Sequence, residues 1–163
     1  MVQIIPKEIQ SIDVNIKFIL ISNGSCNDKE YTIFNFSRFS LLEELTIGNE
    51  CFEYVNLFKL NKMNHLKSLK IGINSFTHLK NSDKWDFDKA NNGNRSFHIL
   101  NCIELESIEI GSFSFSDYGG GFELKNLPKL SNIKIGIIGT DSSNFFCSSF
   151  EIKGIIDDDI ANE

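Results

Sequence analysis

Apolar and polar residues alternate in short bursts along this chain instead of recurring every three or four positions. In LKSLKIGINSF, residues 66 to 76, Leu69 and Ile71 alternate with Ser68 and Lys70, which predicts a short strand with one buried face. The same phrase stands in five places: IKFILISNGSC from Ile16, LEELTIGNECF from Leu42, LKSLKIGINSF from Leu66, LESIEIGSFSF from Leu105 and LSNIKIGIIGT from Leu130. Their starts lie 26, 24, 39 and 25 residues apart, a spacing that predicts stacked repeats.

A second alternating phrase keeps register with the first. It reads FNFSRF from Phe34, FKLNKM from Phe58, FHILNC from Phe97, FELKNL from Phe122 and FEIKGI from Phe150, and four of the five begin eight residues before the next repeat Leu. Each coil is therefore expected to hold two short extended segments joined by turns. One coil cannot bury such faces alone, whereas stacked coils can. Phe34, Phe58, Phe97, Phe122 and Phe150 should then form one internal column, and Phe52, Phe76 and Phe115 most of another. Each buried ring stabilises the stack by about 1.5 to 3 kcal/mol. The column explains 15 phenylalanines in 163 residues without a cofactor.

The pattern resembles the leucine-rich repeat, whose core reads LxxLxLxxNxL. Leu66, Leu69, Ile71, Asn74 and Phe76 fill it in order, and the IGINSF and IGSFSF clusters look most like the BspA-like subtype. The likeness runs from about Ile16 to Ile156 and implies a β-dominated leucine-rich-repeat solenoid of about five coils. A parallel sheet lines one face and short strands the other, with little helix. The Asn position is occupied by Gly24, Glu50, Asn74, Phe113 and Ile138, so the family's asparagine ladder is not expected to continue through it. Gly48, Gly72, Gly111 and Gly136, at the strand ends, are expected to supply tight or positive-φ turns instead.

Composition fits one domain over residues 1–163: a partial first coil over 1–15, an insertion over 77–96 and an acidic tail over 157–163. The chain is 41% hydrophobic and 23% charged, with two prolines and no linker-like run. A net charge of −6 argues against a nucleic-acid or anionic-membrane partner. The longest apolar run, IKFILI from Ile16, is too short to cross a bilayer, and Pro6, Lys7 and Glu8 break a signal-peptide pattern. A cytoplasmic protein without membrane insertion is the default expectation. Cys26, Cys51, Cys102 and Cys147 form no CxxC pair, and Cys26 and Cys102 take apolar repeat positions, so buried free thiols are expected in place of disulfides or metal ligands. Under secretion, Cys26 and Cys51 are near enough in the stack to meet, and the sequons at Asn23, Asn35 and Asn94 become relevant.

The insertion THLKNSDKWDFDKANNGNRS breaks the period and carries the single Trp. Solenoid insertions emerge on one face, so Trp85 and Phe87 are candidate partner anchors; the competing reading folds them back over the solenoid. DFDKANNGN opens like a calcium loop, but Ala90 stands where the third ligand belongs and no Glu closes it. His65, His78 and His98 have no nucleophile in a recognisable motif, and no phosphate loop or HExxH is present, so a non-enzyme without cofactor or metal is expected. GGGF from Gly119 reads as a flexible turn.

The outward strand positions complete the candidate site. Lys17, Glu43, Lys67, Glu106 and Ser131 should form one row across the stack, and Leu20, Thr46, Lys70, Glu109 and Lys134 another. Opposite charges on adjacent strands support one another. Lys67, Lys70, Glu106, Glu109 and Lys134 therefore join Trp85 and Phe87 as candidate binding residues for a protein or peptide. The alternative function is a structural or self-assembling fragment that associates through its solenoid ends, with Ile5, Ile9 and Ile12 covering the first strand and DDDIANE blocking further stacking at the other end.

Overall fold

In a computed structural model that describes residues 2–4, 12–80, 88, 91–137, 143–146 and 148–153, the chain winds as a β-solenoid of about five coils. The first sheet is six-stranded: β1 (Val2–Ile4), β2 (Phe18–Ile21), β4 (Glu44–Ile47), β6 (Ser68–Ile71), β8 (Ser107–Ile110) and β10 (Asn132–Ile135). The second holds β3 (Ile33–Asn35), β5 (Leu57–Asn61), β7 (Ser96–Leu100), β9 (Gly121–Lys125) and β11 (Ser149–Lys153). All named strand pairs are parallel, and each coil contributes one strand to each sheet. The partial first coil adds a strand of its own, because Val2–Ile4 pairs with Ile19–Ile21. Ile12 packs against the core; Ile5 and Ile9 lie outside the described residues, as does the acidic tail.

Register follows the repeated phrase residue for residue. Leu45, Leu69 and Ile108 are partners across the first sheet, and Phe34, Phe58, Phe97 and Phe122 across the second. The period-two pattern dictates this, since a one-residue slip would expose every inward side chain. The Phe34, Phe58, Phe97 and Phe122 rings stack in near-parallel pairs with centroids 4.7, 4.7 and 5.0 Å apart. Phe150 is the backbone register partner of Phe122 in the next strand. Phe52, Phe76 and Phe115 form the second column, and Phe145 continues it, 4.9 Å from Phe115. The two columns meet edge to face, as at Phe58 and Phe76, 5.2 Å apart at 88°, the favourable arrangement for aromatic quadrupoles.

Turn chemistry departs from expectation. Of the four strand-end glycines only Gly136 has a left-handed backbone, with φ of 67°. The others are required by close approach: a Cβ on Gly48, Gly72 or Gly111 would lie within 2.6 Å of the preceding coil. The left-handed residues come two and four positions after the strand-end residue, which is Ser22 in the first coil and glycine in the next three: Gly24 and Cys26, Glu50 and Phe52, Asn74 and Phe76, and Phe113 and Phe115. Ser143 and Phe145 repeat the pair in the last coil.

The residue between each left-handed pair ties the turns together. Ser75 Oγ accepts from the Cys51 amide and donates to the Gly48 carbonyl, and Ser114 Oγ does the same to Ser75 N and Gly72 O one coil on. Asn144 takes the corresponding place, donating to Gly111 O. This serine ladder does the work expected of asparagine. A short asparagine ladder nevertheless exists one position before the repeat Asn, where Asn23 Oδ1 accepts from Asn49 N and Asn49 Oδ1 from Ile73 N, each at 2.8 Å. Cys26, Cys51 and Cys102 are buried free thiols, and burial, with Cys51 and Asp28 adding to it, pushes the Cys26 thiol up to about 12. Cys147 lies outside the described residues.

Phe97→Ala is expected to cost about 3–5 kcal/mol and Gly111→Ala about 1–3 kcal/mol through overpacking. Ile152→Ala, at a side chain 55% exposed, should stay within about 0.5 kcal/mol. Urea denaturation of the three variants checks the ranking.

Candidate functional site

The outward face of the first sheet carries two charged rows with different fates. Because β2, β4 and β6 are in register, Lys17, Glu43 and Lys67 stand side by side at the strand starts. Glu43 binds both neighbours, with Lys17 Nζ at 2.8 Å from Oε1 and Lys67 Nζ at 2.9 Å from Oε2. Hydrogen bonds from Lys17 and then Lys67 hold the Glu43 carboxyl down at about 2. Lys129 and Glu104 close a similar pair at 2.7 Å. These charges satisfy each other.

The second row does not. Thr46, Lys70, Glu109 and Lys134 are strand partners in successive coils, yet among the described residues no ion pair or hydrogen bond engages the side chains of Lys70, Glu109 or Lys134. The three border a cleft of about 200 Å³ whose floor includes Gly111 and Gly136 and whose far side includes Ile73, Ser112 and Ile137. The trough follows from the glycines: close coil contact forbids a side chain beside the charged row, so the sheet dips there. Ile73 and Ile137 are 40% and 57% exposed. Ser112 is only 5% exposed, and its hydroxyl has no hydrogen-bond partner, an uncompensated polar group that costs about 1–3 kcal/mol.

Of the candidate residues, the fold brings Lys70, Glu109 and Lys134 to this cleft and places Lys67 and Glu106 on the neighbouring row. Trp85 and Phe87, and the calcium-like stretch around them, lie outside the described residues. Among the described residues no cluster of His, Cys, Asp and Glu is arranged to hold a metal, and no helix is long and apolar enough to cross a membrane. His98 faces outward and meets Glu123 at 3.1 Å, while His78 contacts Glu53 at 3.3 Å.

What sequence reasoning missed lies at the base of the insertion. Arg95 is fully buried and pairs with buried Asp117. Its guanidinium also donates to the Glu53 and Val55 carbonyls and packs 4.8 Å from the Tyr118 ring, and Tyr118 Oη donates to Val55 O. One side chain from the third coil thus joins the second and the fourth at the C-terminal end of the insertion. Burial pushes the Tyr118 phenol well above its ordinary range, opposed by the Arg95 cation. Asp117 Oδ1 is left without a partner. Thr77 and Ser116 hydroxyls join at 2.7 Å across the other leg. Gly119 and Gly120 are also close-approach glycines, since a Cβ on either would strike backbone of residues 91–95; that requirement corrects the flexible-turn reading. The one available signal was an Arg at the edge of a loop two residues before a repeat Phe.

No protein family, curated protein or solved structure matches the chain.

Arg95→Met is expected to lose about 3–5 kcal/mol, and the double variant Arg95→Met/Asp117→Leu to recover much of it, because an unpaired buried charge is worse than none. Equilibrium denaturation of both separates these outcomes. For Glu43 the depressed carboxyl means that the bridge's contribution is complete above its ordinary value of 4.5 and is lost as pH falls through about 2. Its exposure to solvent makes the effect small. Glu43→Gln should flatten the fall in melting temperature across that window, read by thermal melts at graded pH.

Proposed function

We propose that this chain is a non-catalytic protein-interaction module of the leucine-rich-repeat type, and that it binds a protein or peptide in the cleft edged by Lys70, Glu109 and Lys134. The repeat assignment is supported by the buried Leu66, Leu69 and Ile71 of the core phrase; the BspA-like likeness rests on its IGxxSF clusters. The observation that carries the binding reading is the contrast between the two charged rows. A row whose only work were to hold the sheet would close its ion pairs, as Lys17, Glu43 and Lys67 do. The inner row leaves three charges open beside exposed isoleucines, a combination of apolar contact and polar groups suited to recognition. The partner is a polypeptide in this reading, not a nucleic acid, because the chain's net charge is −6.

A second reading, self-association, is favoured by the last coil. Ile133 is 42% exposed, whereas its column mates Ile19, Leu45, Leu69 and Ile108 are at most 2% exposed, so a further coil or another copy has an inward face to cover.

Affinity capture from native lysate, with intact chain beside Lys70→Ala/Glu109→Ala/Lys134→Ala and Lys17→Ala/Glu43→Ala/Lys67→Ala, tests the first reading. A partner lost only with the inner-row variant supports it. Equal capture by all three, with concentration-dependent mass in light scattering that Ile133→Lys abolishes, moves the function to self-association.

A further inference from the structure

The cleft's charges have an order and a pitch, and together they specify the shape of what fits. Lys70, Glu109 and Lys134 are direct partners on neighbouring strands, so positive, negative and positive groups follow one another at about 4.8 Å along the solenoid axis. The far side keeps the same order, with Ile73, Ser112 and Ile137 in the third, fourth and fifth coils.

Regular peptide conformations meet this pitch unequally. A strand laid along the trough repeats a face about every 6.7 Å and falls out of step after one contact. A polyproline helix returns to the same face about every 9.3 Å, which serves the two lysines and leaves Glu109 opposite nothing. An α-helix rises about 1.5 Å per residue, so positions i, i+3 and i+7 share one face at heights of about 0, 4.5 and 10.5 Å. Only this form meets all three charges.

Building on the peptide-binding reading, we propose that the cleft receives an α-helix of a partner protein, lying along the solenoid axis, with acidic, basic and acidic residues at i, i+3 and i+7. Its acids face Lys70 and Lys134, and its base faces Glu109. The residue at i+4 stands at the height of Ser112, between Ile73 and Ile137. A leucine there meets the exposed Ile73 and Ile137. Charge order sets specificity in such a contact.

The test uses three fluorescein-labelled, alanine-based sixteen-residue peptides titrated with the full chain at low salt and read by anisotropy. The first carries Glu, Lys, Leu and Glu at i, i+3, i+4 and i+7. The second inverts the three charges. The third repeats the first with a central proline that breaks the helix. The first should bind at least about tenfold more tightly than the others, and Lys70→Glu/Glu109→Lys/Lys134→Glu should reverse the preference between the first two. That variant changes two exposed positions and half-buried Glu109, and circular dichroism verifies its fold; the comparison on the unaltered chain stands alone if it does not fold. Equal binding of the first two peptides, or of the first and third, overturns the helix and its charge order. Absence of binding by all three also overturns it. The broader cleft reading falls only if lysate capture is insensitive to the inner-row alanines as well.

Discussion

Every coil of this protein must place its inward residues about 4.8 Å from those of the next, and most of the sequence is a consequence of that constraint. A coil has only two short strands and no second layer of its own, so its apolar face is buried by its neighbours or not at all. The phenylalanine columns satisfy the constraint directly, because flat rings stack at about the strand spacing while their edges meet the facing column. Glycines 48, 72 and 111 satisfy it differently. They are placed where backbone meets backbone, and any Cβ would force the coils apart. The left-handed turn residues and the serines between them then supply hydrogen bonds to backbone that strand pairing leaves open.

Where the constraint is interrupted, the protein uses polar chemistry. At the C-terminal end of the insertion a charged side chain is buried among the coils. Arg95 lies there, reaching carbonyls of the second coil and a carboxylate of the fourth. A buried ion pair is a costly filler compared with leucine or phenylalanine. Its directional donors nevertheless fix how the two coils flanking the gap align, which an apolar plug would not.

The division between what was legible and what was not follows from locality. Strand positions, register and both phenylalanine columns repeat at fixed spacing, so comparing the chain with itself exposes them. Phe145 escaped because the last turn is longer than the others and Thr140 stands at the expected place. The glycine reasoning failed for a general cause: sequence marks where glycine is needed, but positive φ and close approach leave the same mark. The Arg95 and Asp117 pair was unreadable because its members are separated by 22 residues and belong to no repeat position. At the candidate site, the charged rows could be written down from register alone. Whether their members close ion pairs depends on side-chain direction, which the repeat does not encode.

That last distinction gives the outward face its meaning. Inward positions are fixed by stacking, and glycine positions by backbone contact, so sequence is free to vary only along outward rows and turns. Lys17, Glu43 and Lys67 spend that freedom on one another and present a neutralised surface. Lys70, Glu109 and Lys134 occupy an equivalent ladder, with alternation that would allow the same pairing, and remain open above a trough that the glycines create. Three members of the first row thus close their pairs, while Glu106 beside them and all three charges of the second row stay open among the described residues. The second row borders a trough whose lining includes exposed Ile73 and Ile137. A surface that has met its own electrostatic needs gains little from a ligand, while one that holds three ordered charges beside apolar contacts gains from a ligand that matches the order.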